Sequence, residues 1–158
     1  MLLPLKTRMI SYSPDINTWL ALTWEGHVHH SVALAWSESI PAKSRLLFSR
    51  YSQLGLLRLV TNSQVMGGSV ISLGAAFALY DSLIEDPRIE LAADPPGLDQ
   101  VMRAYSRRPL SRQSATKAIG DLYLTAFGVA AASTTVTFDK AMARVLQAEQ
   151  APVILLKT

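Results

Sequence analysis

The chain has 158 residues, of which 49% are hydrophobic, and carries a formal charge of +3. That length suits one domain with a real core, and the composition excludes a disordered chain. The absence of cysteine removes disulfides and thiolate metal sites. No run reaches the roughly 18 apolar residues of a membrane span, and the mild positive charge tolerates a polyanionic partner without requiring one.

The opening "MLLPLKTR" is apolar but broken by Pro4, Lys6 and Arg8. It lacks the long apolar centre of a signal peptide. Residues 1–8 therefore read as an extension and 9–158 as the domain, with a cytoplasmic location expected. "MISYS" is a short buried strand that ends at Pro14. Ile16, Trp19, Leu20 and Thr23 follow at helical spacing. Val28, Val32, Ala35 and Trp36 mark a second helical face, closed by Pro41.

"RLLFS" is a second strand, and "SQLGLLRLVTN" a helix with Leu54, Leu57 and Val60 inward and Ser52 as its cap. "SQVMGGSVIS" reads as a loop because of Gly67-Gly68. Ser72 caps the next helix, where Leu73, Ala76, Phe77, Tyr80, Leu83 and Ile84 keep the period until Asp86-Pro87. "RIEL" is a third strand. Leu98, Val101, Met102 and Tyr105 mark a further helix, and "SRRPLSRQS" is a basic loop. "TKAIGDLYLTAFGVAA" is a long helix with Ile119, Leu122, Ala126 and Phe127 inward. "STTVTFD" and "PVILLK" are the last two strands. Short apolar strands alternating with amphipathic helices predict one α/β domain: a central parallel sheet of about five strands with helices on both faces.

The chain has twelve acids, and three do not fit simple surface roles. Asp15 follows the first strand, Asp139 follows the fourth, and Asp121 lies inside the long helix at the border of its apolar stripe. Sites in open parallel sheets form beyond the carboxyl ends of the strands, where Asp15 and Asp139 would lie. Converging carboxylates resist ionisation together. A hard divalent cation, Mg2+ or Mn2+, removes that difficulty in an all-oxygen site. The same spacing also fits helix caps at Asp15 and Asp139 and a surface acid at Asp121. The residues alone leave both readings open.

"PDINTWLAL", "SQLGLLRLVTN", "GDLYLTAFG" and "TVTFD" occur in that order, and "DPRIEL" is followed by "PPGL". Together they resemble PIN-domain ribonucleases of the VapC toxin type, from about Met9 to the C-terminus. The resemblance implies a PIN-like α/β/α fold and Mg2+- or Mn2+-dependent endonucleolytic cleavage of RNA. It also implies a toxin role, a small VapB-like antitoxin and a homodimer. It places the family's acids at Asp15, Asp121 and Asp139, with Asn17 and Thr137 as polar neighbours. One departure stands out: many family members carry a glutamate early in the third helix, where this chain has Gln53 or Gly55. Gln53 could offer a neutral oxygen there. The missing charge leaves the number of metals open, and keeps a catalytically weak or inactive RNA-binding module as the rival.

Arg107, Arg108, Arg112 and Lys117, in and after the basic loop, are candidates for gripping the RNA backbone, against an ordinary solvated surface. His27, His29 and His30 of "EGHVHH" raise the question of zinc, but no fourth ligand is evident and the structural reading is favoured, with His27 and His30 exposed. Trp19, Trp24 and Trp36 read as core or dimer packing. There is no glycine-rich phosphate loop and no G-x-S-x-G elbow. A phosphatase would want a second Asp where Asn17 stands.

Overall fold

The computed structural model describes residues 9–108 and 115–158, with side chains from 118 onward in the second stretch. The proposed extension at 1–8 and Arg112 lie outside the described residues, as does the side chain of Lys117.

Strand β1 (Ser11–Pro14) leads into α1 (Ile16–Thr23) and α2 (His30–Ser39). Strand β2 (Arg45–Phe48) is followed by α3 (Arg50–Val60), the short α4 (Ser63–Met66) and α5 (Leu73–Ile84). Then come β3 (Ile89–Leu91), α6 (Leu98–Ser106), α7 (Ala115–Ala130), β4 (Thr134–Thr137), α8 (Lys140–Ala148) and β5 (Val153–Leu155). All strand pairs are parallel, in the order β3-β2-β1-β4-β5. The five-stranded parallel sheet expected from the sequence is present.

The alternation of side chains along β2 shows why both faces need helices. Leu46 and Phe48 join a core with Trp19, Leu56, Tyr80 and Val136. Leu47, between them, joins Leu98, Ala126 and Phe127 on the other face. Trp19 stacks on Phe48 with ring centroids 3.7 Å apart. Trp36 is also buried and Trp24 packs against the same core, so the tryptophans serve this chain's own interior.

Several inward assignments do not hold. Leu54, Leu73, Phe77 and Ile119 are 56%, 64%, 45% and 59% exposed. Periodicity locates an apolar stripe, but the stripe is wider than the part the sheet covers. Ala35 and Val28 also face outward. The cap of α3 is Ser49, whose side chain accepts from the Ser52 backbone while Ser52 bonds back to Ser49. The stretch read as a loop around Gly67-Gly68 holds the short α4, capped by Asn62, and one 3-10 turn. Among the described residues, no single helix is long and apolar enough to cross a membrane.

Candidate active site

The chain reverses its direction of travel across the sheet between β1 and β4. The crevice beyond the carboxyl ends of these neighbours is where an open α/β sheet places its ligand. Asp15 directly follows β1, and its backbone N–H continues the pairing by donating to the Val136 carbonyl at 2.9 Å. Asp139 stands two residues past the end of β4. Parallel pairing alone therefore brings two acids, separated by most of the sequence, to one edge.

Asp15 is 5% exposed. Its Oδ1 accepts from the Thr18 backbone N–H at 2.8 Å, capping α1, and its Oδ2 accepts from the Thr137 hydroxyl at 2.5 Å. Thr137 in turn accepts from the Asp139 backbone N–H at 2.9 Å. Asp139 caps α8, its Oδ1 accepting from Ala141 N at 2.8 Å and Met142 N at 3.2 Å. Both acids thus do the capping that their spacing allowed. A cap needs one oxygen and does not need burial; Asp15 is buried, doubly bonded and coupled to a second acid.

Burial raises the Asp15 carboxyl above the ordinary carboxylate range. The Thr137 and Thr18 hydrogen bonds pull it down, and the Asp139 charge pushes it further up. A carboxylate held this way, with the Asp139 charge beside it, suits a hard cation.

Asp121 lies on α7 and lines a cleft of about 450 Å³ between α6, α7 and α8. Ala141, Met142, Arg144 and Val145, from the first turns of α8 after Asp139, form the opposite wall. Among the described residues, no three of His, Asp and Glu gather closely enough to hold an ion. The structure therefore joins Asp15 to Asp139 and turns Asp121 toward the helix that Asp139 begins, without closing a three-acid cluster.

The supporting residues divide. Thr137 is fully buried and central. Asn17 is exposed on the first turn of α1. Gln53 is buried, and its Oε1 accepts from Arg50 Nη1 at 2.7 Å. Gly55 has no room for an acid, because a Cβ there would meet Ile16 Cδ1 at 2.4 Å. Arg107 is exposed, whereas Arg108 pairs with Glu149 at 3.1 Å.

Thr18 is a site residue that sequence reasoning missed. Its backbone holds Asp15, and its hydroxyl donates to the Val136 carbonyl at 3.2 Å. A threonine three residues after a strand-end acid is the signal that could have found it.

The histidines are not exposed as expected. His29 stacks on Phe138, between Thr137 and Asp139, with centroids 4.7 Å apart. His30 Nδ1 bonds the Ala21 carbonyl at 2.7 Å. His27 Nδ1 accepts from His29 N at 3.0 Å, and burial, then its neighbouring histidines, lower its pKa.

No family model matches the chain. Ribonuclease VapC41 of Mycobacterium tuberculosis is 41% identical over 131 residues, which is 80% of this chain and 88% of the relative. The chain belongs to the VapC ribonuclease family. Solved structures agree on the fold. VapBC2 of Rickettsia felis, bound to a DNA fragment from its promoter, aligns with a TM-score of 0.68 at 14% identity, covering 94% of this chain and all of that one. VapC20 of Mycobacterium tuberculosis, a toxin that cleaves the sarcin-ricin loop, aligns with a TM-score of 0.60 at 17% identity over 84% of this chain and 93% of that one. The fold of this VapC protein is the PIN-like α/β fold.

Proposed function

We propose that this VapC protein hydrolyses RNA phosphodiester bonds internally, with Asp15 and Asp139 as a joined pair and Asp121 as the third acid that completes the site when an Mg2+ or Mn2+ ion binds. The observation that carries the reading is Asp15: buried, with one oxygen on Thr18 and the other tied through Thr137 to Asp139. A helix cap alone does not account for that.

A divalent ion bound there would supply Lewis acidity toward water and the phosphoryl oxygens. The chain's own residues prepare the place. Thr18 and Thr137 fix the orientation of the Asp15 carboxylate. The Asp139 cap sets the first turn of α8 opposite Asp121. Arg107, Arg108, Arg112 and Lys117 are the proposed contacts to the RNA backbone, Arg108 after exchanging its Glu149 partner for phosphate. Asn17 is the proposed polar contact at the mouth, and Gln53 a buried support for the start of α3.

The biological role proposed is that of a cytoplasmic toxin silenced by a VapB-like antitoxin, supported by the likeness to VapBC assemblies. A homodimer is proposed as well. Leu73 and Phe77, one turn apart on α5, leave an apolar face exposed on the described chain.

The test is cleavage of single-stranded RNA by purified protein in Mn2+, in Mg2+ and in chelator. Internal cuts that appear only with a divalent ion support the reading; metal-independent or absent cleavage overturns it. Light scattering at micromolar concentration tests the dimer, which a monomeric mass would contradict.

A further inference from the structure

Tyr51 sits in the first turn of α3 and is 42% exposed. Its ring lies 5.3 Å from that of Tyr123 on α7, with planes tilted by 48°. Two features fix the pair. The Tyr123 hydroxyl donates to Asp94 Oδ1 at 2.6 Å. The Tyr51 hydroxyl lies against the backbone of Gly120, where a Cβ would come within 2.0 Å of it. Only a glycine there allows the phenol that position, and the next residue is Asp121.

The location matters as much as the chemistry. Tyr51 follows the end of β2 by three residues, and Asp94 follows the end of β3 by three. The pair therefore stands beyond the carboxyl edge of the sheet, the same edge that carries Asp15 and Asp139. Beside Tyr123 opens a pocket of about 400 Å³ lined by Asp94, Gly97, Leu98, Gln100 and Met102. A tyrosine needed only to pack α3 on α7 would be buried, as Leu56 is. Tyr51 stays 42% exposed while its ring keeps a 48° tilt against that of Tyr123.

We infer that Tyr51 and Tyr123 form a subsite for an unpaired nucleobase of the RNA substrate, on the sheet edge that carries the proposed acids. The inference rests on the nuclease reading for its substrate class. Unstacked bases are commonly held on aromatic side chains, and a pre-set platform saves the cost of ordering it on binding. Asp94 and Gln100 supply polar groups for the edge of the base.

The experiment measures binding of a fluorescent single-stranded oligoribonucleotide to Asp15→Asn protein, which does not consume it. Into that background go Tyr51→Leu and Tyr51→Phe, and the strand is scanned with single abasic riboses. Tyr51→Leu should weaken binding by roughly 5- to 150-fold, the range of one stacked base, and Tyr51→Phe should stay close to the parent. One abasic position should cost the parent a similar factor and cost Tyr51→Leu nothing more. Equal binding by Tyr51→Leu overturns the subsite, as does a loss that no abasic position cancels. If Tyr51→Leu does not fold, an abasic scan of the parent with no sensitive position overturns it too. RNA cleavage by the unaltered protein is scored separately. Failure to cut would sink the nuclease reading while leaving Tyr51-dependent binding as a result in favour of the subsite.

Discussion

Thr137 joins the acids that follow β1 and β4, donating its hydroxyl to Asp15 Oδ2 at 2.5 Å and accepting from Asp139 N at 2.9 Å. Thr137→Val keeps the shape and removes both bonds. It leaves a buried carboxylate oxygen and a backbone N–H without their partner, at a cost of about 1–3 kcal/mol. Melting should drop accordingly and cleavage should fall with it, while Thr137→Ser restores most of both. Calorimetry and an RNA cleavage assay on the two variants check this.

The raised Asp15 pKa gives a pH signature. Burial disfavours the ionised form in the fold, so ionisation costs stability. The cost is absent below the ordinary value of 3.8 and grows as pH rises through the raised one. Without divalent ions, Asp15→Asn should therefore melt higher than the parent at neutral pH, with the gap closing in acid. Mg2+ should raise the parent's melting temperature and leave the variant's unchanged, because only the parent binds it. Thermal melts across pH, with and without Mg2+, would show either pattern.

Asp86 carries the opposite sign. Hydrogen bonds from the Arg88 side chain hold its carboxyl below the usual range, and Arg88 Nη1 also reaches the Ser37 carbonyl at 2.8 Å. This stability is present above the ordinary carboxylate pKa and is lost as pH falls through the depressed value. Asp86→Asn should cost on the order of 1 kcal/mol at neutral pH and nothing at strongly acid pH. Urea titrations at both pH values measure the difference.

His29 packs on Phe138 and does not need its ring nitrogens for that contact. Replacing it with Phe should keep stability and cleavage, whereas His29→Ala should lose about 0.5–1.5 kcal/mol. Gln at His27 and His30 should leave the metal requirement of cleavage untouched. Chemical denaturation and a metal titration of activity test these variants.

Much of this architecture is legible in the sequence because local patterns and the sheet agree. "RLLF" and "TTVT" read as short buried strands, and an acid right after a strand places Asp15 and Asp139 on one edge. Side-chain periodicity says less about which part of a stripe is covered, hence the exposure of Leu54, Phe77 and Ile119. The link through Thr137 joins residues 122 positions apart, and no local pattern encodes it. The place of Asp121 depends on how α7 packs against α8, which spacing within α7 cannot reveal. Gln53 is different: its contact with Arg50 is a local pair three residues apart on α3, open to a reading of the spacing, whereas its burial comes from packing.

The most direct measurement is the rate of Mn2+-dependent RNA cleavage by Asp15→Asn, Asp121→Asn and Asp139→Asn, each with its melting curve. Asn caps a helix about as well as Asp, so a capping role alone predicts nearly parental proteins. The present account predicts folded proteins whose cleavage falls by orders of magnitude, with paired changes no worse than single ones, because the acids act as a unit. An Asp15→Asn protein that cuts RNA as fast as the parent would contradict it.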